Sequence, residues 1–170
     1  MEERLNLREF QARLAERLNN VSNQTGTASK LGFMAGGRHW LAALDQVGEV
    51  VTVDRLMKAP WTRPWFLGVA GVRGTIYGCT DLAAFLGLAK AEPRDEIRLL
   101  LANPRFNAHA AFRIDQVLGL RNVDDMRLLP DAQSLEAWQG SSYEDASGTI
   151  WQELSFENLV TAQVFLQVAA

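Results

Sequence analysis

The sequence is poor in the residues that carry covalent or metal-centred chemistry. It holds one cysteine, Cys79, and two histidines, His39 and His109, in 170 residues. A single thiol excludes an internal disulfide, and with only two imidazoles beside it no structural zinc cluster can be assembled. Neither His-Glu-x-x-His nor Cys-x-x-Cys occurs. Long apolar runs are missing as well. Trp65–Val72 covers eight residues before Arg73, and Leu159–Ala170 covers twelve but contains Gln163 and Gln167. A membrane-spanning helix needs about 20. Met1-Glu2-Glu3-Arg4 places charge where a secretory signal requires an apolar core. Nor is there a surplus of cations: 17 Lys and Arg stand against 20 Asp and Glu, a net charge of −3, which speaks against general binding to nucleic-acid phosphates. These absences lead to the expectation of a soluble, cytoplasmic protein with no nucleic acid partner, no direct membrane insertion, no metal and no cofactor.

What the sequence does contain is material for a core. Apolar residues make up 48% of the chain, and a chain of this length buries roughly 70% of its unfolded surface without covalent help. Leu7, Phe10, Leu14, Leu18 and Val21 recur in steps of three and four, which predicts an amphipathic helix over residues 5–21 that docks on the body of the protein or on a partner. Ser22–Ser29 has no large apolar residue and reads as a linker.

From Leu31 the pattern changes to short apolar runs between turn residues. Leu31–Ala35 and Arg38–Leu44 flank Gly36-Gly37, a hairpin signature. Glu49–Val53 is a β-branched strand candidate, and Phe66–Val72 and Thr75–Cys79 surround Arg73-Gly74, a second reversal. Thr80-Asp81 predicts an N-cap for one or two helical turns ending near Gly87. Ile97–Ala102, His109–Ile114, Val117–Val123 and Thr149–Leu154 continue the strand pattern. Residues 130–148 read as a long polar excursion, and Leu159–Val168 as a helix or a helix followed by a strand.

The chain also repeats itself. Leu44–Asp54 lies on Ile114–Asp124 with Asp, Gln, Val, Val and Asp coinciding, and His39 falls on His109 at the same offset of 70. Gly74-Thr75-Ile76-Tyr77 recurs as Gly148-Thr149-Ile150-Trp151. Two copies of a small unit of about five strands are expected, sharing an interface because units of about 60 residues are marginal alone.

Candidate chemistry is thin. His39 and His109 occupy matching places in separate units and are not expected to share a metal. Cys79, just before a helix start, is either an activated thiol or a small hydrophobe in a β core. Gly68, Gly71 and Gly74 are not the dinucleotide fingerprint and suit a tight turn or a close backbone approach. Asp95-Glu96 and Asp124-Asp125 read as solvated turn charge. Trp61, Arg63, Trp65, Arg73 and Tyr77 fit either a small barrel stacking nucleic-acid bases or another ligand, with Trp61, Trp65 and Arg73 as its contacts, or a protein–protein hot spot. The overall acidity favours the second. The residues alone thus describe a two-lobed β protein that binds rather than catalyses.

The run Trp65-Phe66-Leu67-Gly68-Val69-Ala70-Gly71-Val72-Arg73-Gly74-Thr75-Ile76-Tyr77-Gly78-Cys79-Thr80-Asp81-Leu82 resembles the signature of CheW-like chemotaxis coupling proteins. Upstream Leu44–Val50 and downstream Phe112–Leu120 resemble two further segments of that family. Gly71 stands where the family usually has Asn, and Gly78 where it often has Pro. The N-terminal extension, Trp138, Tyr143–Trp151 and Leu159–Phe165 resemble the PilI-type branch, which serves type IV pilus chemosensory systems. The resemblance implies a mainly β fold of two intertwined five-stranded SH3-like β-barrels, the first about 31–88 and the second about 95–168, after an N-terminal helix and linker over 1–30. It implies a non-catalytic adaptor, without cofactor, that bridges the cytoplasmic tip of a methyl-accepting chemoreceptor to a CheA-type histidine kinase in a membrane-associated array and controls twitching motility. Receptor helices would lie between the barrels against Arg73, with Val47 and Glu49 beside it, while Gly68 and Gly74 belong to the motif's backbone.

Overall fold

A computed structural model describes residues 28–89, 95–130 and 136–170. The helix expected over 5–21, most of the linker, and Lys90–Arg94 lie outside the described residues. The first hairpin forms as its sequence requires: β1 (Ser29–Ala35) and β2 (Arg38–Ala43) pair antiparallel across Gly36-Gly37, both at positive φ. A one-turn 3₁₀ segment leads to β3 (Val47–Val53). A second hairpin joins β4 (Phe66–Val72) to β5 (Thr75–Asp81). Asp81 then caps α1 (Leu82–Phe85), its Oδ1 accepting from the Ala84 N–H at 3.1 Å.

The second half supplies β6 (Ile97–Ala102), β7 (Ala110–Arg113), β8 (Gln116–Asn122), a two-residue β9 (Arg127–Leu128), β10 (Gln139–Glu144) and β11 (Ile150–Leu154). Strand β10 falls inside the expected polar excursion. Its sequence, Gln-Gly-Ser-Ser-Tyr-Glu, lacks apolar alternation because its neighbour offers polar partners. Ser142 Oγ bonds Gln152 Oε1 at 2.6 Å, and the Tyr143 hydroxyl donates to Glu153 at 3.4 Å. The closing segment forms two short helices, α2 (Phe156–Thr161) and α3 (Gln163–Leu166), separated by the extended Ala162. Ala169 then bridges back to Thr62.

The strands make two sheets, ordered β8-β1-β2-β11-β10-β9 and β3-β6-β7-β5-β4. Laying β1–β5 on β6, β7, β8, β10 and β11 superimposes one order on the other, and this is the correspondence that the sequence repeat gives. The five-stranded sheet takes three strands from the first repeat and two from the second; the other takes two from the first and three from the second, with the two-residue β9 added at its edge. The joins are parallel in both: β2 with β11, and β7 with β5. The matched side chains meet in the same way, His39 edge-on to Trp151 at 4.9 Å and His109 against Tyr77 at 5.6 Å. The sheets therefore cross the contiguous division into 31–88 and 95–168. Strands β1 and β2 leave the first half, β6 and β7 leave the second, and each unit gains the partners that a chain of about 60 residues lacks.

Exchange also explains why Leu99–Ala102 is an unbroken apolar run, since a strand buried on both faces cannot alternate. Leu100 and Ala102 point into the cluster between the sheets with Phe33, Trp40 and Phe112, while Leu99 and Leu101 point into a second cluster with Ala70, Cys79 and Ala111. That second cluster draws on β3 through Val51 and on all four other strands of its sheet, so the sheet curls around it. Helices α2 and α3 close the space between the sheets with Phe156 and Phe165, which pack on Phe112 at centroid distances of 4.7 and 5.6 Å. Each such fully buried side chain contributes about 1.5–3 kcal/mol.

A fragment of residues 28–89 leaves β3 without β6 and β5 without β7. We expect it to show no cooperative thermal transition by circular dichroism, and to gain sheet signal when mixed with residues 90–170. A cooperative melt of the first fragment alone would show that strand exchange is dispensable.

Candidate functional site

Sheet order makes β3 and β4 the two edges of the five-stranded sheet, and their meeting point carries two of the expected site residues. Arg73 and Gly74 form the β4–β5 turn with φ of 49° and 81°. Two successive left-handed residues match the right-handed twist of the flanking strands. The turn projects Arg73, whose side chain is 76% exposed, across the gap to Glu49 on β3. Arg73 Nη1 lies 2.8 and 2.7 Å from the two carboxylate oxygens of Glu49. A pair this exposed contributes only about 0.2–1 kcal/mol, because water solvates either partner nearly as well. Such a pair can be traded for an incoming carboxylate or carbonyl at little cost.

Val47, two residues upstream, is elsewhere. It is 8% exposed and packs in the cluster between the sheets. Burial makes it a positioning residue for β3 and removes its side chain from the free surface. The apolar groups that do face solvent here are Val50 and Ile76, at 39% and 57% exposure. Sequence reading passed over both. The adjacent Val50-Val51 pair holds a usable signal, since a strand with Val51 inside must turn Val50 outward.

Gly68 has φ of 128°, and a Cβ there would stand 2.2 Å from the Met57 carbonyl oxygen. The reason is a two-way bridge in which Met57 and Val69 exchange N–H···O bonds of 2.8 Å, pressing the chain from β3 onto β4. Gly74 serves the turn and has open space around it. Gly71 is exposed opposite Ile76 and meets nothing closer than 3.8 Å.

The remaining candidates disperse. Trp65 is stacked on Phe165 at 5.9 Å and edge-on to Phe85 at 5.1 Å, within the packing of the closing helices. Trp61 is 85% exposed. Seven strand residues, about 23 Å, separate both from Arg73. The stacking platform of Trp61, Trp65 and Arg73 is therefore not assembled. Cys79 is fully buried, and burial pushes its thiol up to about 11, the opposite of an activated nucleophile. Asp124-Asp125 lies in an exposed 3₁₀ turn capped by Asn122. Among the described residues, no three His, Cys, Asp or Glu side chains converge to hold a metal ion, and no helix is long and apolar enough to cross a membrane.

Comparison with known proteins accords with this frame. The CheW-like domain family matches residues 30–164. Protein PilI of Pseudomonas aeruginosa is 33% identical over 110 residues, which cover 65% of this chain and 61% of that protein. The chain thus spans about three fifths of the length of this curated relative. In three dimensions it resembles the scaffolding protein TtCheW of Thermoanaerobacter tengcongensis, with a TM-score of 0.61 over 75% of this chain and 88% of the other. At 16% identity, that likeness speaks for the fold alone.

Two measurements test the local readings. Gly68→Ala drives a methyl into the Met57 carbonyl and should cost about 3 kcal/mol in urea unfolding, whereas Gly71→Ala should stay within about 0.5 kcal/mol. Equal stabilities would refute the close approach. Cys79 should react with Ellman's reagent at pH 8 only as fast as the protein unfolds. Labelling within seconds in the native state would contradict a buried, protonated thiol.

Proposed function

Since the chain belongs to the CheW-like domain family, we propose that it is a non-catalytic signalling adaptor, coupling a methyl-accepting chemoreceptor to a CheA-type histidine kinase and holding the receptor at Arg73 and Glu49. Similarity to PilI supports a place in the cytoplasmic chemosensory array of a type IV pilus system, with twitching motility as its output. The observation that carries the reading is the exposed Arg73–Glu49 pair set where two sheet edges meet. Arg73 offers a permanently charged, forked donor to receptor carboxylates or carbonyls. Glu49 holds that fork in place before the partner arrives, so less side-chain entropy is lost on docking. Exposed Val50 and Ile76 add aliphatic surface on the same five-stranded sheet and are the groups we assign to kinase contact.

An adaptor without bond-making chemistry acts through two thermodynamic routes. Tethering raises the local concentration of kinase at the receptor. Contacts that differ between receptor states shift the kinase between its active and inactive populations, by no more than the difference in contact free energy.

Arg73→Glu places two carboxylates side by side and removes the fork. The variant should keep its circular dichroism and melt within about 2 °C of wild type, as a weak surface pair allows. Its co-sedimentation with receptor-containing membranes should fall at least about tenfold in affinity, the effect of losing a charged hydrogen-bonding anchor. Undiminished co-sedimentation would remove Arg73 from the receptor contact.

A further inference from the structure

Trp61 is left over from the site described above, and its surroundings are unusual. It is the most exposed large apolar residue among those described, at 85%, and its backbone sits at φ 51°. A bulky residue in the left-handed region is strained, and such strain persists only where neighbouring structure enforces it. Here the enforcement is visible. The Ala170 N–H donates to the Trp61 carbonyl at 2.9 Å, the Arg63 N–H donates to the Val168 carbonyl at 2.8 Å, and the Thr62 hydroxyl donates to the Ala59 carbonyl at 3.2 Å. The tail of the chain straps the segment between β3 and β4 into one conformation, with the indole held out in solvent.

Three cations share that segment. Arg55, Lys58 and Arg63 are all exposed, none is in an ion pair with a described residue, and Asp54 is the only acid from residue 54 to 64. In a chain of net charge −3 this is a local reversal of sign. Next to the strap opens an apolar pocket of about 230 Å³, whose lining includes Phe66, Phe165, Leu166 and Val168. Val168 joins the two features, since its carbonyl holds Arg63. Leu166 and Met57 extend the apolar surface at 62% and 69% exposure.

We propose that this strap is a second docking surface, distinct from Arg73 and Glu49, for an acidic amphipathic segment of another protein. One bulky apolar side chain of that segment fills the pocket, Trp61 packs over its flank, and its carboxylates meet Arg55, Lys58 and Arg63. A rigid, exposed Trp beside unpaired Arg has the make-up of an interface hot spot. Preset geometry spares the partner the ordering cost. The concave pocket favours a protein segment, whose side chain can fill it, over a lipid surface, which would cover the protruding groups and leave the pocket unfilled.

The test uses the full chain and a fluorescein-labelled synthetic helical peptide with Phe or Leu at i, i+3, i+4 and i+7 and Glu at the flanking positions, followed by anisotropy. A matched peptide with Lys in place of Glu is the control. The acidic peptide should bind saturably and more weakly as salt rises, and the Lys peptide should not bind. Trp61→Ala and the double variant Lys58→Glu/Arg63→Glu should each lose at least about tenfold in affinity, and Arg73→Glu should lose none. Trp61→Gly, which suits the left-handed backbone, separates loss of the indole from any change in the strap, and it should fail in the same way. Overturning results are absence of saturable binding, equal binding of the Lys peptide, or full affinity in Trp61→Ala and Trp61→Gly. Binding to anionic vesicles or single-stranded DNA that Trp61→Ala abolishes would give the surface to a lipid or a nucleic acid. A wild-type dimer in sedimentation velocity that the same variant dissolves would give it to a second copy of the chain.

Discussion

The parallel pairing of β2 with β11 and of β7 with β5 is the constraint on which the rest of the structure depends. A parallel pair cannot come from a hairpin, so these joins must be made between segments distant in sequence. Once made, they fix the other pairings: β1 lies against β8, and β6 against β3. Neither repeat retains an interior of its own. Leu99 and Leu101 of the second repeat fill the cavity of the sheet to which the first repeat gives three strands, and Leu100 and Phe112 fill the space between the sheets. Removing either half leaves a strand with both faces bare.

Much of this is legible in the sequence. Turn chemistry located two of the hairpins, because Gly36-Gly37 and Arg73-Gly74 are local signals that need no tertiary partner. The repeat aligned His39 with His109 and Tyr77 with Trp151, and the structure pairs each histidine with the aromatic residue of the opposite repeat. What stayed illegible was non-local. Strand β10 has no apolar alternation, because Ser142 and Tyr143 answer Gln152 and Glu153 rather than a core. Nothing in the spacing of 24 residues between Glu49 and Arg73 announces a 2.7 Å contact, since it depends on how far a five-stranded sheet curls. Val47 is only two positions from Glu49, yet a register shift between Val47 and Val50 separates their surroundings, one a core and the other a surface. Family resemblance grouped residues by shared effect; the structure sorts them into one that positions a strand and two that meet the solvent.

The chemistry of the described residues suits reversible contact. Both histidines are engaged with aromatic rings, and the one thiol is sealed in a cluster where its ionised form is disfavoured. Charge is presented instead as guanidinium–carboxylate pairs in water-accessible surroundings, Arg73–Glu49 among them with Arg105–Asp45 and Arg127–Glu144. Weak internal pairing serves an adaptor well. A buried pair would cost several kcal/mol to break and would bind partners only slowly or not at all, whereas an exposed one exchanges partners with little net penalty.

Arg73 and the strap around Trp61 stand at opposite ends of β4, whose seven residues pair with β5 along their length and receive Met57 at Gly68. The same strand thus presents one end to a charged fork and the other to a strained indole. A loop-borne pair of surfaces would drift apart or together with each thermal fluctuation, and contacts at one would say little about the other. A strand bonded on one side to β5 and pinned on the other by Met57 holds its two ends, and so the two surfaces, at a fixed separation. The glycine at position 68 is what allows that pinning, because any Cβ there would push Met57 away and free the segment that carries Trp61. The motif's most sterically demanding residue is in this sense its smallest one, and it acts by letting two backbones touch.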